Sequence, residues 1–214
     1  MESQVRGGTR WKRFAVVMVP SVAATAAIGV ALAQGALAAS FSVSGQSFKV
    51  SADSLVGEDF VQYGSIAEGT DLKGKKNAHP VAVSGFSTAT ITNMCQSVVT
   101  PDVPVFGNIS LELRAGQDAD NPVVATNIYL DVAQLEADAV FDDIDIGVAA
   151  GDPGNGTKIQ PGTEEKVNPF GFAQRARMAT LTKVKQTAWA TTAGTFKLTG
   201  LSLKLHTGPK KECY

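Results

Sequence analysis

Beyond Ser40, hydrophobic and polar residues alternate along much of the chain. Ile109, Leu111 and Leu113 alternate with Ser110, Glu112 and Arg114, and Val124, Thr126, Ile128 and Leu130 have the same spacing. A period of two puts successive side chains on opposite faces of a β-strand. Abundant Thr, Val and Ile, with turn-forming clusters at 116–122 and 151–162, are typical of strands joined by loops. The pattern predicts an all-β fold, either a bent antiparallel sheet or a β-sandwich.

The alternation is interrupted four times by a pair of apolar residues with two other residues between them. The four segments are Ile91-Thr-Asn-Met94, Phe141-Asp-Asp-Ile144, Leu181-Thr-Lys-Val184 and Leu198-Thr-Gly-Leu201. Such a break is typical of a β-bulge or a tight corner, and we expect a bulge at Gly200. The breaks indicate a bent sheet with a continuous apolar inner face. Two readings of that face stay open: a core filled by side chains, or a groove that holds lipid.

The amino-terminal segment has the order of a secretory signal peptide. A basic stretch at residues 1–13 precedes twenty uncharged residues at 14–33, and Ala-x-Ala triplets follow at 31–33 and 36–38. Twenty residues at 1.5 Å each also give about 30 Å, the thickness of a hydrocarbon core. Residues 1–39 are therefore expected to form an apolar helix, as either a cleaved signal peptide or a retained transmembrane anchor. An anchor would place Arg10, Trp11, Lys12 and Arg13 at the membrane interface.

In both readings residues 40–214 form an extracytoplasmic β domain. The chain has 19 Lys and Arg and 20 Asp and Glu, of which residues 1–39 hold four and one, so the domain carries fifteen against nineteen, a charge of −4. A mildly acidic domain without a basic stripe is a poor nucleic-acid binder, and we set that class aside.

Two cysteines, Cys95 and Cys213, fit the same compartment. In an exported protein two thiols most simply form one disulfide, which here would close a loop of about 118 residues. A metal site that also used His79 and His206 would lack any C-x-x-C or H-x-x-x-H pair to hold it. We expect a disulfide and no metal or other cofactor.

Catalytic motifs are weak in this sequence. The G-x-S-x-G motif of esterases is absent, and the nearest candidate nucleophile is Ser54 in Ala-Asp-Ser-Leu. His206 has no acid in a supporting position, and His79 lies in a polar turn. We therefore lean towards a protein that is not an enzyme and name no catalytic residue.

Three aromatic residues are the candidates for a ligand groove. Phe170 and Phe172 lie two residues apart, and Trp189 lies in an Ala- and Thr-rich segment. Aromatic side chains of this kind either line a groove or anchor the core of a sheet.

An acidic run at Asp142, Asp143 and Asp145 invites a calcium interpretation. The run lacks EF-hand spacing and a terminal bidentate Glu, and its carboxylates alternate with isoleucines as on a solvated strand face. The following segment, 151–162, is rich in Gly and is expected to be a flexible surface loop within a single domain.

Several segments together resemble a known family. They are residues 6–14, Asn93-Met-Cys-Gln-Ser-Val-Val-Thr-Pro101, 144–150, Pro169-Phe-Gly-Phe-Ala-Gln174 and 186–196. The chain resembles a family of uncharacterised exported proteins of actinobacteria, Streptomyces and relatives, whose members often carry the label "cholesterol esterase". The resemblance implies a cell-envelope or secreted protein, encoded in some members beside a small membrane protein, and it supplies no catalytic residues.

The leading expectation is a non-enzymatic envelope or secreted β protein that acts as a structural or interaction module. The alternatives are a protein that binds a lipid or sterol, and a hydrolase of lipid esters. The candidate partners are the membrane, through the amino-terminal segment, a lipid, a small membrane protein and a second copy of the chain.

Overall fold

The computed structural model describes residues 18, 43–152, 154, 156–208 and 210–214. The described residues form ten strands: β1 (Val43–Ser44), β2 (Phe48–Thr70), β3 (Lys76–Thr92), β4 (Met94–Val103), β5 (Gly107–Ala115), β6 (Val123–Asp142), β7 (Asp145–Ala149), β8 (Phe172–Thr192), β9 (Thr195–Lys197) and β10 (Ser202–Thr207). A single turn of 3₁₀ helix at Glu164–Lys166 is the one helical element among the described residues from 43 onward. The all-β prediction is confirmed.

The strands form one sheet in the order β10-β5-β4-β2-β3-β6-β8-β7, with β1 on β2 and β9 on β6. Every pairing is antiparallel except β1 with β2. Strand β2 also pairs with β8, so β2, β3, β6 and β8 form a closed cycle of pairings that we call the strand ring. Of the two predicted architectures, the bent antiparallel sheet is the one that forms.

The four strands of the ring are 23, 17, 20 and 21 residues long, three to four times a usual strand. Strands this long must bend repeatedly to close on one another. In each of the four predicted breaks the third residue has a positive φ, at Asn93 (48°), Asp143 (53°), Lys183 (54°) and Gly200 (66°). The predicted bulges and corners are therefore confirmed, although Gly200 lies in the turn between β9 and β10 and not within one strand.

Two further bends were missed by the sequence analysis. Asp59 (φ 51°) and Asn127 (φ 48°) are the third residues of Gly57-Glu-Asp-Phe60 and Ala125-Thr-Asn-Ile128, which have the same spacing. Because of the bend at Asn127, Val124, Thr126, Ile128 and Leu130 do not share one face of β6, and that prediction is wrong. Ala125 and Ile128 are both buried in one core, whereas Val124 is exposed, because the extra residue reverses which side chains point inward.

The inside of the strand ring holds the larger hydrophobic core. Its centre is a group of three phenylalanines, in which the ring centroid of Phe60 lies 5.3 Å from that of Phe86 and 5.2 Å from that of Phe141. Phe86 packs directly over Gly57, where a Cβ would overlap the aromatic ring. The other buried members come from β2, β3, β4, β5, β6 and β8.

A second core lies beneath the segment between β7 and β8, residues 150–171. Val61, Tyr63 and Tyr129 of the sheet pack there with Val167 of the segment. The Gln160 backbone N–H donates to the Tyr63 hydroxyl at 2.8 Å, and the Tyr129 hydroxyl donates to the Lys158 carbonyl at 3.1 Å. Burial raises the pKa of Tyr63. The described residues of 151–162 form a loop, as predicted, and its second half is hydrogen-bonded to the sheet at Lys158 and Gln160.

The carboxyl-terminal residues cover one face of the β4–β5 pair. Cys213 forms a disulfide with Cys95, as predicted, across a sequence separation of 118. The backbone N–H of Cys213 donates to the Ser97 hydroxyl, and that of Lys211 donates to the Ser110 hydroxyl, both at 3.0 Å. Ser110 is therefore buried on the face that the alternation in β5 suggested as the outer one, while Leu113 of the other face packs against the larger core.

The predicted signal peptide or anchor at 1–39, with Arg10, Trp11, Lys12 and Arg13, lies outside the described residues except for Met18. Among the residues that are described, none belongs to a helix with the length and apolar character needed to cross a membrane.

Candidate functional site

The strand ring encloses an apolar cavity of about 160 Å³ beside the three phenylalanines. Its wall is formed by all four strands of the ring, and the second half of β6 contributes two alanines, Ala137 and Ala139, between Leu135 and Phe141. The lining residues are Leu55, Phe60, Gln62, Ser84, Phe86, Leu130, Leu135, Ala137, Ala139, Phe141, Leu181, Val184 and Gln186. No charged or histidine side chain is among these described lining residues.

The cavity exists because β6 loses one of its neighbours. β3 pairs with β6 only as far as Ala82 opposite Val132, whereas β8 stays paired with β6 as far as Asp142. Residues 134–142 therefore have one free edge, and the alanines at 137 and 139 leave space where larger side chains would fill the core. Leu135, in the cavity wall, is 38% exposed. The cavity thus borders solvent along this part of β6.

One end of the cavity is polar. The Gln174 side-chain amide donates to the Gln62 amide oxygen at 2.6 Å, and the Gln62 amide donates to the Ser84 hydroxyl at 2.8 Å. Ser84 is buried and Gln62 is partly buried. These neutral groups offer hydrogen-bond donors and acceptors to a polar end of a ligand without bringing a charge into the core.

A smaller void of about 20 Å³ lies further along the inside of the ring. Leu55, Leu130, Val184 and Gln186 line both spaces and so separate them. A void of about 150 Å³ lined by aliphatic and aromatic groups is large enough for benzene. The larger cavity can therefore take a small apolar group or the end of an alkyl chain, and its lining supplies binding and no reactive side chain.

A protein-family comparison covers this whole arrangement. The model of a family of unknown function, DUF6230, matches residues 44–214, which include all of β2 to β10. The chain belongs to the DUF6230 family. No curated protein and no solved structure matches it.

The DUF6230 fold does not bring the three predicted groove aromatics together. Phe172 and Trp189 are seventeen residues apart on the single strand β8, a path of about 55 Å along the strand. Phe170 is 90% exposed, whereas Trp189 packs on the second core and stacks on His79 with ring centroids 3.6 Å apart. The prediction of one groove lined by Phe170, Phe172 and Trp189 is wrong, because β8 is too long and extended.

The acidic run of the DUF6230 chain is neutralised by two arginines. Arg175 Nε lies 2.9 Å from a carboxylate oxygen of Asp145, and Arg177 Nε lies 2.8 Å from one of Asp143. Arg177 also reaches Asp142 at 3.8 Å. The pairs at Asp143 and Asp145 line a cleft of about 300 Å³ on the surface of the ring, and the third carboxylate of the cleft, Asp59, accepts a hydrogen bond from the Ser87 hydroxyl at 2.6 Å.

The candidate esterase residues lie on different parts of the sheet. The Ser54 hydroxyl is hydrogen-bonded to that of Thr92 at 2.9 Å, within the ring. His206 lies on β10 opposite Ser110, with its Nε2 3.8 Å from a carboxylate oxygen of Glu112. β5 and β4 separate β10 from β2, so Ser54 and His206 do not form one site.

The aromatic residues beside the cavity are not the three that the sequence suggested for a groove. Phe60, Phe86 and Phe141 come from three strands, and their meeting depends on long-range pairing that no local pattern shows. The local signal that was available is the run of small residues at Ala137 and Ala139 in an otherwise inward-facing position of a strand.

Proposed function

We propose that this protein works outside the cytoplasm as a non-enzymatic component of the cell envelope, secreted or held at the outer face of the membrane, and that it acts as a structural or interaction module. The observation that carries the proposal is the disulfide between Cys95 and Cys213. Structural disulfides persist in oxidising compartments and are rare in the cytosol of most organisms. The resemblance to exported actinobacterial proteins and the basic, then apolar, amino-terminal segment support the same placement.

The scaffold supports a binding role over a chemical one. The ring is closed by the pairing of β2 with β8, and the disulfide holds the carboxyl-terminal residues on β4 and β5. These links fix the positions of the strands and of the side chains on their surface. Several apolar side chains are exposed on that sheet and its turns: Leu203 and Leu205 on β10 with Leu201 just before it, Phe170 and Phe172 near the start of β8, and Val105 and Phe106 in the β4–β5 turn. Exposed apolar groups of this kind mark contact surfaces.

Cell fractionation of the producing organism, with amino-terminal sequencing of the isolated chain, tests the placement. We expect the chain in the membrane fraction or the medium, starting near Ser40 if the segment is cleaved and near Met1 if it is retained. A chain recovered from the cytosol with an intact amino terminus would overturn the proposal. The non-enzymatic part fails if short-chain ester turnover is measured and is abolished by Ser54→Ala or His206→Ala.

A second candidate function, the binding of a lipid, is favoured by the apolar cavity. With about 160 Å³ the cavity is too small for a sterol and fits only the end of an acyl chain, with the Gln62–Ser84 pair at its polar end. The cavity meets solvent at Leu135, so the rest of such a ligand could leave the cavity there and lie along the free edge of β6.

Native mass spectrometry of the chain isolated from its own cells tests lipid binding. We expect an added mass that is lost on delipidation and is reduced in Ala137→Leu, where the larger side chain fills the cavity. Ala133→Leu is the matched control, because Ala133 is an exposed residue of the same strand and does not line the cavity. Absence of any added mass in the unmodified chain would contradict this candidate.

A lipid ester hydrolase, the activity that the label of the resembling family names, has the least support. Its nucleophile and base would be Ser54 and His206, and the sheet order separates them.

A further inference from the structure

The turn between β4 and β5 carries an exposed residue in an unfavourable conformation. The Phe106 N–H donates to the Val103 carbonyl at 3.2 Å, which closes a four-residue turn with Pro104 second and Val105 third. Val105 has φ 75° and is 98% exposed. That position normally holds Gly or Asn, and a β-branched residue with positive φ is a genuine outlier. Folding alone gives no reason for a solvent-exposed valine there.

The neighbouring side chains add apolar surface and positive charge. Phe106, next to Val105, is 58% exposed. The β2–β3 turn carries Leu72, which is 59% exposed, among the exposed lysines Lys73, Lys75 and Lys76. The acid of this turn, Asp71, is bound to the turn backbone: one of its carboxylate oxygens accepts hydrogen bonds from the backbone N–H groups of Lys73 and Lys75 at 2.9 Å each.

Residues 44–46 hold the two turns at one end of the domain. Ser44 pairs with Thr70 at the base of the β2–β3 turn, and a Cβ at Gly45 would overlap the backbone of Asp71. The Gln46 side-chain amide donates to the Val99 carbonyl at 3.0 Å, four residues before the β4–β5 turn begins at Val103. The β2–β3 turn therefore lies beside residues 44–46, and the β4–β5 turn begins about 13 Å along β4 from the same segment.

The chain enters the domain at this end, and one more basic residue, Lys210, lies beside the β4–β5 turn. Val43 pairs with Gly69, so the apolar segment 14–33 is joined to the domain here through only nine residues, 34–42. The Gly208 N–H donates to the Asn108 carbonyl at 3.0 Å, which brings the segment containing the exposed Lys210 beside the β4–β5 turn. Asp102 is the exposed acid of the β4–β5 turn.

We propose that this end of the domain docks on a lipid bilayer that contains anionic lipids. Leu72, Val105 and Phe106 enter the interface between headgroups and acyl chains, while Lys73, Lys75, Lys76 and Lys210 lie against the headgroup charges. Apolar side chains backed by lysines fit such a surface, because each supplies what the other lacks for interfacial binding. The proposal rests on the proposed placement outside the cytoplasm, and it assigns the surface that faces the membrane.

An acidic domain has no general reason to meet an anionic membrane, so the concentration of lysines at one end is informative. The domain's charge of −4 is that of residues 40–214 taken together, whereas the two turns and the strand residues next to them carry three exposed lysines against two acids, Asp71 and Asp102. The apolar segment 14–33 joins the domain at the same end, which favours a bilayer as the partner of this surface. Whether that segment is a cleaved signal peptide or a retained anchor, it would bring the two turns to a membrane surface during export.

Hydrogen exchange of the full chain, with and without vesicles, tests the proposal. With vesicles of phosphatidylcholine and phosphatidylglycerol, we expect amide exchange in residues 103–107 and 71–76 to slow by about tenfold, as burial of one large apolar side chain allows. Vesicles of phosphatidylcholine alone should give a clearly smaller effect. Triple replacement of Lys73, Lys75 and Lys76 by Gln should remove the difference between the two lipid compositions.

Val105→Gly separates docking from folding. Gly adopts φ 75° without strain, so this variant should unfold at a temperature equal to or higher than that of the parent chain while it loses most of the vesicle-dependent protection. Phe170→Ser is the matched control, because Phe170 is an equally exposed apolar residue outside the two turns, and its protection should match the parent.

Equal exchange in the two turns with and without anionic vesicles would overturn the proposal. So would protection that appears without lipid and rises with protein concentration, because this would assign the same surface to a second copy of the chain. Loss of protection in Phe170→Ser to the same degree as in Val105→Gly would also contradict it. The placement outside the cytoplasm is tested separately by fractionation and is unaffected by these outcomes.

Discussion

Single residues with left-handed backbone conformation determine how the long strands of this protein bend. Asn, Asp and Gly provide most of them, and these residues tolerate a positive φ better than others because their side chains are short or absent. Each such residue adds one position to its strand and reverses the faces of the residues that follow. The inward-facing positions of β2, β6 and β8 therefore change parity along a single strand.

Asn127 offers the clearest test of this role. We expect Asn127→Val to lower the free energy of unfolding by roughly 1–3 kcal/mol, because a β-branched residue is strained at φ 48°. Asn127→Gly should change it by less than about 1 kcal/mol, since Gly adopts the conformation freely. Chemical denaturation of the two variants measures both values. An equal loss of unfolding free energy in Asn127→Val and Asn127→Gly would show that the role of Asn127 is not to adopt a positive φ.

Close packing at Gly57 leads to a second prediction. Gly57→Ala places a methyl group in the Phe86 ring, so the core must shift, and we expect a loss of about 1–3 kcal/mol in the free energy of unfolding. Gly64→Ala is the matched control on the same strand, because a Cβ there meets nothing within 4 Å. A thermal melt of each variant distinguishes them, and a loss in Gly64→Ala as large as in Gly57→Ala would contradict this account of the core.

At the scale of elements, the carboxyl-terminal residues act as a strap across β4 and β5. The Cys95–Cys213 disulfide closes a loop for which chain entropy gives roughly 4–5 kcal/mol. We expect Cys213→Ser to lower the free energy of unfolding by about 2–5 kcal/mol and to increase hydrogen exchange at residues 210–214. Glu212→Gln, which removes only the half-exposed ion pair with Lys49 (3.2 Å), should cost about 1 kcal/mol or less. A similar loss of unfolding free energy in Cys213→Ser and Glu212→Gln would show that the Lys49–Glu212 ion pair, and not the disulfide, holds the carboxyl-terminal residues in place.

The segment at 150–171 gives a prediction about pH. Burial raises the pKa of Asp131 to about 6, and the nearby Lys166 ammonium opposes this only in part. Because the folded pKa lies above the ordinary value of 3.8, the fold favours protonated Asp131, and its contribution to stability is lost as the pH rises from about 4 to about 6. Asp131→Asn should remove that loss, which denaturation of both chains across this pH range measures. A parent and variant with parallel pH profiles would contradict the assignment.

The elements also show which parts of the fold were predictable. Alternation and the apolar pairs separated by two residues predicted strands and four of their bends, because both are local properties of a strand. The segments around Asp59 and Asn127 carry the same signal and could have been found in the same way. The burial of Ser110 on β5 could not be predicted, because it depends on residues about a hundred positions away, at the carboxyl terminus.

At the scale of the whole molecule, the closure of the ring by β2 and β8 creates both the core and the cavity. Leu55 on β2 lies opposite Leu181 on β8, and Phe141 reaches Phe60 only because the pairing brings these strands together. No short segment of sequence predicts which strands close a sheet, and so neither the cavity nor the correct lining residues followed from the sequence. The disulfide between Cys95 and Cys213 supports the proposal of an extracytoplasmic protein.

The redox state of Cys95 and Cys213 in living cells tests that conclusion most directly. Producing cells are quenched in acid and alkylated before reduction, and the two cysteine-containing peptides are then measured by mass spectrometry. We predict that nearly all of the folded chain carries both cysteines protected from the first alkylation, as one disulfide-linked peptide pair. Recovery of both cysteines as alkylated free thiols would contradict an oxidised, extracytoplasmic domain.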